Sequence, residues 1–118
     1  MKASVDGIDY CFSDPQLLQE ALTHRSAGPR NNERLEFLGD GVLNMVVAAR
    51  LYELRPQAQE GDLSRMRARL VRGVTLSDIA AGIALGRQLS LGEGEMKSGA
   101  YRRTSIQADA FEAILGAI

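Results

Sequence analysis

The 118-residue sequence holds a single cysteine and a single histidine. One cysteine, Cys11, excludes an internal disulfide and suits a reducing compartment. Beside one histidine it could suggest a thiol nucleophile; the plainer reading is a small buried hydrophobe before Phe12. No apolar run approaches the roughly 18 residues needed to span a bilayer. The opening MKASVDGIDY also lacks the apolar stretch of a signal peptide. The expected location is therefore the cytoplasm, with no membrane partner. Excess positive charge is missing too: a net charge of −1 excludes a simple basic nucleic-acid-binding module. Any RNA binding must come from local charge segregation or from a further domain. Strand signals are few. With 45% hydrophobic and 25% charged residues, the composition excludes wholesale disorder and gives one domain's worth of core.

What is present is helical. Asp14 then Pro15 reads as N-cap and first helical residue, predicting a helix to about His24. SAGPRNN reads as a loop. A long helix is predicted from Asn32 or Glu33 to about Leu54, stopped by Pro56. Gly61-Asp62 reads as a break and cap for a basic helix, Leu63 to Arg72, closed by Gly73 as C′. Thr75 with Asp78 resembles a capping box for a helix ending near Gly86. SLGEGEMKSGAYRR reads as a glycine-rich loop, and Thr104 with Gln107 as a capping box for a last helix from Ser105. The expected fold class is a single all-α domain.

The acids stand out against this pattern. At about 100° per residue, with Glu33 at zero, Glu36 falls near 300° and Asp40 near 340°. The same arc carries Phe37, Leu43, Val47 and Leu51, while Leu35, Leu38, Val42, Met45 and Val46 fill the other side. A helix apolar nearly all round is expected to be buried. The last helix, SIQADAFEAILGAI, has only two charges, Asp109 and Glu112, at i,i+3 among Ile106, Phe111, Ile114, Leu115 and Ile118. Both lie beyond the first turn, so helix capping explains them poorly. Burying unpaired carboxylates together costs several kcal/mol each, and basic partners within these helices are scarce. A hard divalent cation resolves the conflict, and an all-oxygen donor set suits Mg²⁺ or Mn²⁺ rather than zinc. His24 lies outside any Glu-x-x-His pattern, which excludes a di-iron bundle of that type. Ordinary salt-bridged acids remain the alternative for Glu-x-x-Glu-x-x-x-Asp alone; the second acidic pair weakens it.

NERLEFLGD, residues 32–40, resembles the signature of the ribonuclease III family. LTHRS (22–26), EGDLSRMRARLV (60–71), GEGEMKSGAYRR (92–103) and ADAFEAILGA (108–117) are similar to further family segments, in order. The resemblance implies an all-helical endonuclease domain that dimerises. It implies metal-binding carboxylates at Glu36, Asp40, Asp109 and Glu112, with Asp40 and Glu112 most directly catalytic. Glu33 is either a substrate or dimer contact or a helix-dipole acid; Glu60 matches an acid near the substrate. Phe37 matches a protruding aromatic at the dimer interface, against the alternative of an ordinary core phenylalanine. His24, with Thr23 and Arg25, reads as structural rather than catalytic. Relatives usually begin with an amphipathic helix, which MKASVDGIDYCF departs from, so a short or frayed start is expected.

The implied activity is endonucleolytic hydrolysis of double-stranded RNA in rRNA and mRNA processing, by a Mg²⁺-dependent two-metal mechanism. Products would carry 5′-phosphate and 3′-hydroxyl ends with a short 3′ overhang, each site of a homodimer cutting one strand. A-form RNA presents mainly phosphates and 2′-hydroxyls. Arg65, Arg69 and Arg72 share one helix face, and Lys97, Arg102 and Arg103 precede the Asp109 helix; all six are candidate phosphate contacts or else merely solvated. Two rival readings are a non-catalytic RNA-binding member of the fold and an all-α metal-dependent nucleotide pyrophosphatase. Retention of all four acids favours the enzyme, and LTHRS would be superfluous in the second rival. The sequence is also expected to stop short of the family's full domain, without a double-stranded-RNA-binding segment, leaving Ile114, Leu115 and Ile118 without a packing partner.

Overall fold

The computed structural model describes residues 4–118, and among them there is no β-strand, only one parallel bridge between Thr23 and Ser90. Helix α1, Pro15–Ala21, opens as predicted: Asp14 Oδ1 accepts from the Gln16 N–H at 2.9 Å and Pro15 takes the first position. It closes three residues before His24, where the chain turns to meet Ser90. Before α1 there is no helix among the described residues. Val5 and Phe12 are instead buried, Tyr10 meets Phe12 edge-on, and Cys11 is exposed rather than buried as expected.

Helix α2, Glu33–Leu54, is the longest. Its N-cap residue, Asn32, makes no side-chain cap bond: it is buried with its amide on the Ala21 carbonyl, and Asn31 Oδ1 accepts from the Glu33 N–H instead. Helix α3, Glu60–Leu70, starts earlier than predicted, so Gly61 and Asp62 lie inside its first turn. Gly73 is no C′ residue but opens α4, Gly73–Gly82. Thr75 donates to the Arg69 carbonyl instead of forming a capping box. Helix α4 ends before Gly86 because Ala84 turns left-handed (φ 53°) into a 3₁₀ turn, Leu85–Gln88. The expected glycine-rich loop contains a short α5, Glu93–Lys97, and a 3₁₀ turn at Ala100–Arg102. Thr104 is itself the first residue of α6, Thr104–Ala117, so the predicted capping box is absent; the Gln107 amide donates to the Tyr101 carbonyl.

Helix α6 runs through the core. Ala110, Ala113 and Ile114 are wholly buried among Leu18, Ala21, Leu35, Leu85 and Phe12. Ile114 therefore has the packing it was expected to lack; Leu115 is half-buried and Ile118 exposed. The expectation of a buried α2 also fails. Only Leu35, Gly39 and Leu51 are buried along it, and Phe37 is 84% exposed, with Leu38, Met45, Val46, Tyr52 and Leu54 also open. Apolar composition marks a surface that wants covering without saying by what.

Two glycines set the α2–α6 distance. A Cβ at Gly39 would stand 1.6 Å from the Glu112 carbonyl oxygen, and one at Gly116 would stand 2.3 Å from that of Leu35. The two backbones thus touch, each glycine facing the other helix's carbonyl. Close approach is what brings side chains one turn away on each helix into reach of each other.

Candidate functional site

Glu36 precedes Gly39 by one turn of α2; Asp109 and Glu112 lie on the α6 face that meets it. Their carboxylate oxygens can lie within 4.8 Å of one another. Glu112 is only 9% exposed, whereas Glu36 and Asp109 are half-buried at the rim. Asp40 stands outside this three-acid group, exposed, one turn further along α2 but against Glu112. The Asn44 amide holds Asp40 from the next turn, donating to its carbonyl at 2.8 Å and to Oδ1 at 3.4 Å.

The electrostatics follow from crowding. Burial pushes the Glu112 carboxyl up to about 8, helped by its hydrogen bond with Asp40 and the charges of Asp40, Glu36 and Asp109. Glu36 is raised for the same reasons, burial first and then Asp109, Glu33 and Asp40. Burial also raises Asp109, and the hydrogen bond from Glu36 and the neighbouring His24 and Arg25 oppose it. The ion pairs among the described residues involve Glu20, Glu53, Asp62, Glu93 and Glu95, and none of the four site acids. A cluster that cannot ionise without repulsion, built only of oxygen donors and lacking a basic neighbour in contact, fits a hard divalent cation.

Glu36 and Asp109 line a cleft of about 300 Å³, while Glu112 and Asp40 lie outside its lining. Glu33 lies at its edge, beside Asn32, Ser105 and Ile106. Of the six basic candidates only Arg103 lines it, where Glu95 pairs with it at 3.9 Å. Lys97 pairs with Glu93, Arg65 with Asp62, and Arg102 lies over the Tyr101 ring. Arg69 and Arg72 are exposed away from the cleft lining, and Glu60 accepts from the Ser64 hydroxyl at the start of α3. Arg25 and His24, read from the sequence as structural, stand in the cleft wall. Only their place in the LTHRS segment hinted at them.

The ribonuclease-III-like family model matches residues 14–118. The chain is 59% identical over 111 residues to ribonuclease 3 of Nitrosococcus oceani, covering 94% of this chain and 48% of that protein. Against ribonuclease 3 of Hahella chejuensis the identity is 60%, covering 94% and 49%. The chain thus spans about half the length of the curated relatives it matches. A solved nuclease domain of ribonuclease III from Campylobacter jejuni, described as flexible in a region involved in dimer formation, superposes with a TM-score of 0.89. It is 45% identical, with 92% of this chain and 77% of that one covered. Dicer from Pichia stipitis superposes at 0.70 with 32% identity, covering 97% and 48%.

Proposed function

The chain belongs to the ribonuclease III family, and from that premise we propose that its carboxylate cleft hydrolyses phosphodiester bonds of double-stranded RNA with Mg²⁺, Mn²⁺ substituting. The observation that carries the reading is the group of Glu36, Asp109 and Glu112 within 4.8 Å, without a cation in contact. Those three would hold one ion, with Asp40 flanking Glu112 as the fourth carboxylate for a second. Divalent ions bound there would supply an acidified water and neutralise charge on the leaving oxygen. Burial and the neighbouring acids favour the protonated form of Glu112 near neutral pH, so its carboxylate would have to lose that proton to hold an ion. Arg103 and Arg25 border the cleft and are suited to meet phosphates, Glu33 to meet the backbone at its edge. The remaining basic residues, Arg65, Arg69, Arg72, Lys97 and Arg102, and the acid Glu60, belong to the proposal as contacts further along the duplex.

A two-fold homodimer completes the reading. The support is α2's uncovered apolar side, with Phe37 standing out as the side chain that would enter the partner. Two sites would then cut opposite strands, leaving 5′-phosphates, 3′-hydroxyls and a short 3′ overhang. The cytoplasm and the maturation of rRNA and mRNA are the expected setting.

The test is incubation with Mg²⁺ and either long double-stranded RNA or nucleoside triphosphates. Cleavage of RNA alone, abolished by a chelator, is the expected result, from a species sedimenting at twice the chain mass. Retention of RNA without cleavage would make this a binding member of the fold, and triphosphate hydrolysis would make it a pyrophosphatase. A monomer at micromolar concentration would remove the dimer.

A further inference from the structure

His24 borders the carboxylate cleft and is clamped from three sides. Its backbone N–H donates to the Ser90 carbonyl at 2.8 Å, and the Ser90 N–H donates to that of Leu22 at 2.8 Å. Its ring Nδ1 faces Ser26, lying 3.1 Å from the Ser26 backbone nitrogen and 2.8 Å from the hydroxyl. The Ser26 hydroxyl oxygen in turn accepts from the Gly92 N–H at 2.8 Å. Gly92 must be glycine for this, since a Cβ there would stand 2.4 Å from the Ser26 carbonyl oxygen.

The direction of these bonds fixes the ring. A backbone N–H can only donate, so Nδ1 must offer its lone pair to Ser26, and the proton of the neutral imidazole sits on Nε2. The Ser26 hydroxyl, accepting from Gly92, lies against the same nitrogen at 2.8 Å. No protein group among the described residues accepts from Nε2. A half-buried ring is thus locked in one tautomer, with its unpaired donor beside the acids.

The geometry points to His24 as a preorganised donor for a phosphate oxygen of the RNA strand being cut, its Nε2–H held by the Ser26–Gly92 clamp. The acids can engage cations but repel the substrate's own charge; other residues of the cleft lining must provide donors. An N–H fixed in place by the Ser26 contacts serves that purpose. A donor already in place needs no reorganisation as charge builds on the phosphoryl oxygens, so its effect falls on turnover more than on binding.

The role presupposes the nuclease reading above, and two variants and one spectrum separate the two. His24→Asn keeps an acceptor for the Ser26 N–H, asparagine being a good capping residue, but removes the donor at Nε2. His24→Gln can return an amide N–H near the Nε2 position. On an RNA duplex with Mg²⁺, kcat of the asparagine variant should fall about ten- to a hundredfold, the usual range for losing one bond to a charged group. KM should stay within about twofold by the same reasoning, the melting temperature should be unchanged, and the glutamine variant should recover part of the rate. An asparagine variant as active as wild type would show His24 to be only a cap. Because His24 is the chain's single histidine, its ring ¹⁵N spectrum has one set of signals. The metal-free protein should show the Nε2–H tautomer whether or not it cleaves RNA, and an Nδ1–H tautomer would overturn the inference. If wild type cleaves nothing while that tautomer is found, the nuclease reading fails and the clamp stands.

Discussion

Glu112→Gln is expected to abolish RNA cleavage while making the metal-free protein more stable. Glutamine keeps the shape and hydrogen-bonding capacity of the side chain and discards its charge. In the folded protein Glu112 ionises only near pH 8, whereas in the unfolded chain it behaves as an ordinary carboxylate. A raised folded value means that folding favours the protonated form. Its stability is fully present below the ordinary carboxylate range and is lost as pH rises toward 8. The amide variant has no such loss. At pH 8 without metal its melting temperature should exceed wild type by about 5 °C, the change expected for roughly 1 kcal/mol in a domain of this size. Cleavage should fall on the order of a thousandfold, the scale of losing one main electrostatic contributor. A purely structural glutamate would behave in the opposite way: its removal would lower the melting temperature and leave the rate. Melting curves and single-turnover cleavage on the same preparation distinguish the two.

Gly39→Ala should be the most damaging single methyl group in the molecule. Alanine is the better helix former by about 1 kcal/mol, and at an open site that gain would dominate. At Gly39 the new Cβ would stand 1.6 Å from the Glu112 carbonyl oxygen, a backbone atom that cannot rotate away. The helices must part, and overpacking of this kind costs about 1–3 kcal/mol or more, against a total stability of roughly 5–15. We expect a fall in melting temperature on the order of 10 °C. Stabilisation by Mg²⁺ should also disappear, because Glu36 moves away from Asp109 and Glu112. Gly41, two residues on in α2, is the control: a methyl group added there would have nothing within 4 Å. Gly41→Ala should be neutral or slightly stabilising. Equal behaviour of the two variants would show that the glycine contact does not set the helix spacing.

That pair of glycines also shows where sequence reading stops. Angular arithmetic along one helix is enough to put Glu36 and Asp40 on one arc and Asp109 and Glu112 on another, because helical periodicity is local. Which arc faces which, and at what distance, depends on Gly39 and Gly116 meeting opposite carbonyls, and no single-helix pattern carries that. Asp40 illustrates the consequence: it shares the arc and follows the contact glycine directly, yet it is exposed, a turn along α2 from Glu36. Capping signals mislead for a related reason. Thr75 and Thr104 have the right spacing for capping boxes, yet Thr75 finds the Arg69 carbonyl and Thr104 is already inside α6. Gly61 and Gly73 read as breaks but fit within helix first turns, where a missing side chain costs little. The all-round apolar pattern of α2 is legible as hydrophobic but not as uncovered, since burial belongs to the neighbours a helix has. Cys11 misleads likewise: alternation with Phe12 puts one inside and the other out. His24 is hidden most thoroughly, because its orientation is set by Ser26 and a glycine 66 residues further from that serine.

Crowding among these acids is a strain that a bound divalent ion would relieve. The most direct measurement is the wild-type melting temperature followed from about pH 5 to about pH 9, with and without millimolar Mg²⁺. Raised carboxylates predict that the metal-free protein loses stability steadily up to about pH 8. A bound ion adds stability only to the folded state, and it competes with protons for the same oxygens. Mg²⁺ should therefore restore most of the loss at pH 8 and have little effect at pH 5. A metal-free profile that is flat or rising over this range, with no response to Mg²⁺ at pH 8, would mean that these acids do not form an ion site.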